Sequence, residues 1–174
     1  MATSVNLIEK SVLTSTAGLV AFTSIPSDYD DLWLFCSVRT TNSGRQDLML
    51  TFNNDIDAYY SRHFIQTNGS SVSGNYNSGG PGSDMRFVNT VPGDLETANA
   101  FGSLEIYIPD YNSTAKVQTA SGFGAHGVSG TPNYVASTGG LWAKTNAITR
   151  VDVKPTSGSW QIGSSFYLYG VSNS

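Results

Sequence analysis

Two histidines, His63 and His126, are the only imidazoles available for acid–base work in this chain of 174 residues. His63 lies in Tyr59-Tyr-Ser-Arg-His-Phe-Ile65, which reads as a strand, and His126 in the glycine-rich Gly122-Phe-Gly-Ala-His-Gly127. Neither has a second histidine or a cysteine at the spacing of a zinc site, so surface or cross-strand histidines are expected. No Gly-x-Ser-x-Gly elbow, phosphate-cradling loop or dinucleotide fingerprint occurs. Carboxylates gather at Asp28-Tyr-Asp-Asp31 and at Asn53-Asn-Asp-Ile-Asp57. The alternating oxygens of Asn53, Asp55 and Asp57 resemble the first half of a calcium loop. However, Ala58 stands where that loop needs its sixth-position glycine, and Phe64 where it needs its twelfth-position glutamate. Asx-turns account for both clusters. Glycoside hydrolysis needs two facing carboxylates, and Glu105 is the one acid inside a clearly alternating strand. No catalytic residue, cofactor or metal is therefore expected. Aromatic rings are the chemistry that remains. Tyr59, Tyr60, Tyr76, Tyr107, Tyr111, Tyr134 and Trp142 could line a saccharide platform, or stand half-buried on sheet faces with their polar tips at the solvent edge.

The elements that must position these groups are strands. The C-terminal stretch Trp160–Val171 alternates between Trp160, Ile162, Ser164, Phe166, Leu168 and the set Gln161, Gly163, Ser165, Tyr167, Tyr169, Val171. A period of two puts these sets on opposite sheet faces. Large groups on both faces mark a strand inside a sheet. Leu32–Thr40 has the same character, with Leu32, Leu34, Cys36 and Val38 against Trp33 and Phe35, and is its natural neighbour. Val5–Leu13 and Leu19–Ile25 are expected to form a hairpin around Thr14–Gly18. Further strands are expected at Asp47–Phe52, Tyr59–Thr67, Met85–Val91, Phe101–Tyr111, Lys116–Gly124, Tyr134–Ala143 with a bulge at Gly139-Gly140, and Ile148–Val153. Pro26–Asp31 and Pro92–Asn99 could each hold one helical turn, the second capped by Asp94. Asn68–Asp84 is a Gly/Ser/Asn-rich stretch of 17 residues that reads as a surface loop. About nine or ten strands with little or no helix are too many for one flat sheet. The expectation is a single all-β domain over residues 1–174, an antiparallel β-sandwich of jelly-roll type with a short N-terminal arm.

Composition narrows the function. Charged residues are 13% of the chain, about half the usual share of roughly 25%, and Ser, Thr, Asn and Gly replace them. Nine Tyr, eight Phe and three Trp argue against disorder. A net charge of −4 and nine scattered Lys and Arg offer no basic stripe, so nucleic acid is not expected as a partner. No apolar run approaches the roughly 20 residues of a membrane helix, and the N-terminus lacks a signal-peptide pattern. Synthesis in the cytoplasm without a signal of its own is expected. The single cysteine, Cys36, sits in Leu32-Trp-Leu-Phe-Cys36 and reads as a buried small hydrophobe.

Four blocks carry a resemblance. Leu32-Trp-Leu-Phe-Cys-Ser-Val-Arg-Thr40, Leu48-Met-Leu-Thr-Phe-Asn53, Gly102-Ser-Leu-Glu-Ile-Tyr-Ile-Pro-Asp-Tyr111 and Gly163-Ser-Ser-Phe-Tyr-Leu-Tyr-Gly170 together resemble structural proteins of tailed-bacteriophage virions. The resemblance implies a β-sandwich built into the particle, and it carries over no active-site residues. The expected role is a capsid decoration (cement) protein on the virion surface, a homotrimer bound to the major capsid protein and stabilising the shell. The alternative is a carbohydrate-binding tail or fibre domain that recognises the host surface. The candidate assembly surface is Trp33, Phe35, Tyr167 and Tyr169.

Overall fold

The computed structural model describes residues 4–76, 82–127 and 133–173. Among these the chain forms twelve strands: β1 (Ser4–Val12), β2 (Val20–Thr23), β3 (Asp31–Val38), β4 (Gln46–Phe52), β5 (Tyr60–Thr67), β6 (Val72–Tyr76), β7 (Met85–Val91), β8 (Gly102–Ile108), β9 (Gln118–His126), β10 (Tyr134–Trp142), β11 (Arg150–Pro155) and β12 (Ser165–Ser172). They make two antiparallel sheets, ordered β1-β12-β3-β8-β9-β10-β5-β6 and β2-β11-β4-β7. No helix occurs among the described residues. Segment 92–99 makes successive turns instead, with Glu96 N–H donating to the Gly93 carbonyl (3.2 Å) and Ala100 N–H to that of Thr97 (3.1 Å). Pro26–Asp31 likewise contains bends and no helical turn.

Eight strands pair in a nested pattern, β1 with β12, β2 with β11, β3 with β8 and β4 with β7. Hairpins β5–β6 and β9–β10 are inserted into this pattern and extend the larger sheet beyond β8. The expected β1–β2 hairpin does not form, because the two strands belong to different sheets. After β1 the chain stays tied to the C-terminal segment, with Leu13 N–H on the Ser164 carbonyl (2.9 Å) and Ala17 N–H on that of Trp160 (3.2 Å). That corner carries it across to β11.

The C-terminal alternation also breaks earlier than its sequence suggests. Gly163 takes a left-handed φ of 87°, so β12 begins only at Ser165, and Ile162 is exposed. Trp160 stands apart from β12, wholly buried, with Nε1–H donating to the Val153 carbonyl at 3.1 Å. Strand β6 lies inside the stretch read as loop, which raises the strand count above nine or ten. Asn68 Oδ1 accepts the N–H groups of Ser70 (3.0 Å) and Ser71 (2.9 Å), and Gly69 has a φ of 85°, so a local turn folds β6 back on β5. Residues 77–81 of that stretch, and 1–3 of the N-terminal arm, lie outside the described residues.

The core lies between the sheets. Leu32, Leu34, Phe166, Leu168, Leu104 and Ile106 point inward from the larger sheet, and Phe22, Leu48, Leu50, Phe52, Val151 and Val153 from the smaller. Cys36 is buried with them, and burial pushes its thiol pKa up, as expected for an inert small hydrophobe. No bulge interrupts β10 at Gly139-Gly140, since its register with β5 and β9 runs unbroken through both. Gly140 meets a packing demand instead. A Cβ there would come within 2.5 Å of Met85 Sδ on β7, and one at Gly124 within 2.5 Å of Thr90. Glycines on the inner face let β7 approach β9 and β10 closely.

Candidate assembly surface

The register of β3 on β12 sets Trp33 opposite Tyr169 and Phe35 opposite Tyr167. Their neighbours Leu34 and Leu168 face the core, so alternation turns these four aromatics to the outer face of the eight-stranded sheet. All four are half-buried. The structure therefore brings the four sequence-selected residues together in one patch. Trp33 and Phe35 rings lie 4.7 Å apart between centroids.

The patch continues across the sheet. On β8, Tyr107 stands opposite Trp33 and Glu105 opposite Phe35, and on β9 Phe123 stands opposite Glu105. Ile65, Val72 and Val135 extend it on β5, β6 and β10, all exposed. A cavity of about 210 Å³ opens on this face, lined by Trp33, Glu105, Tyr107, Ser121, Phe123 and Ser137 among others. A neighbouring one of about 230 Å³ lies beyond Phe123, against Ile65, Val72 and Val135. Small residues make these hollows: Ser121 in the first and Ser137 in both leave space between the taller rows. The Tyr107 hydroxyl donates to the carboxylate of buried Asp31, which also accepts Asp110 N–H at 2.8 Å and Asn173 Nδ2. Burial first, and then that bond, push the Tyr107 pKa up to about 12. The ring at the cavity edge is thus held from its far end.

The saccharide platform drawn from the sequence does not assemble. Tyr60, Tyr111 and Trp142 are core residues, and their polar tips are satisfied inside. Tyr60 Oη accepts Phe52 N–H (2.9 Å), the Tyr111 hydroxyl donates to the Pro26 carbonyl, and Trp142 Nε1–H donates to Asp55 Oδ2 (2.8 Å). Tyr134 lies under the Arg45 guanidinium and Tyr59 under the Lys144 ammonium. Tyr76 and Tyr107 remain on the outer face.

The acidic clusters are used internally. Asn53 Oδ1 accepts Thr149 N–H (2.9 Å) and Arg150 N–H (3.1 Å), and Asp55 Oδ1 accepts Asp57 N–H (2.9 Å). Only the Asp55–Asp57 bond is the local Asx-type turn expected from the sequence. Asn53 instead ties down a segment 96 residues away, and Asp30 and Asp31 of the other cluster hold the distant Asn173, Tyr107 and Asp110. Among the described residues, no group of three His, Cys, Asp or Glu side chains could hold a metal ion. Both histidines are cross-strand. His63 is exposed and stacks on Tyr76 (5.4 Å between centroids), and buried His126, which ends β9, stacks on Tyr134 (5.8 Å). Sequence reasoning missed the place of Phe123 and Ile65 on the aromatic face. The period-two row Ser121, Phe123, Ala125, with Gly122 and Gly124 between, was the available signal.

No family model matches this chain, and no curated protein matches its sequence.

Proposed function

We propose that this protein is a non-enzymatic structural component of a tailed-phage particle, a decoration (cement) protein that docks on the capsid shell and strengthens it. The observation that carries this reading is the aromatic patch Trp33–Phe35–Tyr167–Tyr169, left half-open on the outer face of a rigid sheet. Contiguous apolar surface rimmed by polar residues marks an interaction site, and interfaces are enriched in aromatic residues and depleted of charge at their centres. The low charge of the chain suits that role. The four blocks that resemble phage virion proteins fall on β3, β4, β8 and β12, three of them neighbours in the larger sheet. The nested pairing of eight strands, as in one long hairpin rolled over two sheets, supports a jelly-roll-type fold enlarged by two hairpins. The partner is the major capsid protein, and the docked species is a homotrimer at capsomer junctions, which places the protein on the virion surface.

Co-sedimentation with capsids that lack the protein tests the proposal. Saturable binding at a fixed copy number per capsomer, with a shell more resistant to heat, is the expected result. Absence of binding would sink it.

A further inference from the structure

We infer that the cavity between Trp33, Glu105, Tyr107 and Phe123 receives an arginine side chain presented by the protein partner. This rests on the docking role proposed above and names the chemistry of its anchor.

Glu105 stands between Phe35 on β3 and Phe123 on β9, each directly opposite it, with Tyr107 two residues along its own strand. Its carboxylate is exposed and, among the described residues, takes part in no salt bridge. A second carboxylate on this face, Asp31 on β3, is bonded to the Tyr107 hydroxyl and has the same sign. The basic positions on the strands of this face, Lys10 on β1 and His63 on β5, are each three strands away, or about 14 Å at the usual strand spacing of about 4.8 Å. A carboxylate ringed by aromatics therefore has no nearby counter-charge on its sheet face. Ring faces are themselves the negative ends of aromatic quadrupoles, so rings and carboxylate favour a cation together.

Geometry selects the cation. Guanidinium is flat, lies against aromatic rings, and presents a fork of N–H groups that matches a carboxylate, whereas ammonium is a strongly hydrated point charge. The hydroxyls of Ser121 and Ser137 line the same cavity and can accept the remaining N–H groups. A volume of about 210 Å³ accommodates a single headgroup with its neighbouring methylenes and no folded chain segment. Arginine is also among the residues that dominate binding energy at protein interfaces.

The test titrates the whole protein with N-acetyl-arginine amide and, in parallel, with N-acetyl-citrulline amide, its neutral isostere. Trp33 is the readout, because Trp142 and Trp160 are 2% and 0% exposed and shielded from added solute. Saturable quenching by the arginine compound is expected, with binding about three- to tenfold weaker for citrulline and for the Glu105→Gln variant. Glu105 is exposed, so its exchange leaves the fold intact, which circular dichroism verifies. Equal binding of both compounds, indifference to Glu105→Gln, or an equal response to methyl α-glucoside would overturn the inference. Capsid binding without any arginine response removes the pocket and leaves the docking role standing. An arginine response without capsid binding upholds the pocket and eliminates the capsid as its source.

Discussion

Phe35 and Tyr169 meet edge to face, with 5.8 Å between ring centroids and 86° between planes, across the diagonal of the β3–β12 pairing. Each ring limits the rotamers of the other, so the patch is ordered before any partner arrives and little side-chain entropy remains to be lost on docking. Tyr169→Ala therefore removes contact area and also frees Phe35. The expected effect is capsid affinity weakened by about 2 kcal/mol or more, the range of interface hot spots, with the melting temperature shifting far less. Affinity from co-sedimentation isotherms, read beside thermal melts, separates the two.

Arg39 is buried, and its guanidinium donates to four backbone carbonyls, those of Thr97 (2.7 Å), Ala100 (2.9 Å), Asp94 (3.0 Å) and Glu96 (3.1 Å). One side chain from the end of β3 thus holds the whole 94–100 turn. Arg39→Met leaves those acceptors without their donor and should destabilise the fold by about 3 kcal/mol or more in urea unfolding. Arg39→Lys should recover only part of this, because one ammonium cannot span four carbonyls.

Adjacent glycines should respond in opposite directions. A Cβ at Gly140 would meet Met85 at 2.5–2.9 Å, whereas one at Gly139 meets nothing within 4 Å. Gly140→Ala should cost about 1–3 kcal/mol as overpacking. Gly139→Ala should be neutral or stabilising by up to about 1 kcal/mol, since a strand glycine gives up more backbone freedom than alanine. Adding Met85→Ala to Gly140→Ala should make the two changes non-additive in a double-mutant cycle.

Buried His126 gives stability a pH dependence. Burial lowers its pKa below the ordinary value of 6.5 and Arg45 adds to this, while Glu96 and the Asn89 backbone oppose it. Below about pH 6.5 the unfolded chain takes up a proton that the folded chain resists, so stability falls as pH drops through that window and is unaffected by this group above it. The slope is at most about 1.4 kcal/mol per pH unit. His126→Phe, which keeps the ring against Tyr134, should flatten the stability difference between pH 7.5 and 5.5.

The sequence made the strands legible wherever one face is apolar. The alternation of Leu32–Val38 and of Phe166–Leu168 fixed their faces, and the shared large residues on both sides marked β3 and β12 as neighbours, which they are. Connections between distant segments were not legible. Nothing near Leu13 announces that its partner is Ser164, so β1 and β2 looked like a hairpin. The inner-face glycine at 140 looked like a bulge because its reason, Met85, lies 55 residues away (140 − 85). Tyr60, Tyr111 and Trp142 looked available because their polar partners Phe52, Pro26 and Asp55 are set by tertiary structure. Strand β6 carries no apolar alternation, and its residues are exposed throughout, so it left no hydrophobic period to read.

Capsid co-sedimentation of paired charge variants, Trp33→Glu on the outer face and Leu95→Glu in a loop, tests the docking surface most directly. Leu95 is 82% exposed and belongs to neither sheet, so its exchange controls for added charge. Both proteins should fold, with Trp33→Glu losing capsid binding and Leu95→Glu retaining it. Full binding by a folded Trp33→Glu protein would contradict the assignment of the eight-stranded sheet as the docking face.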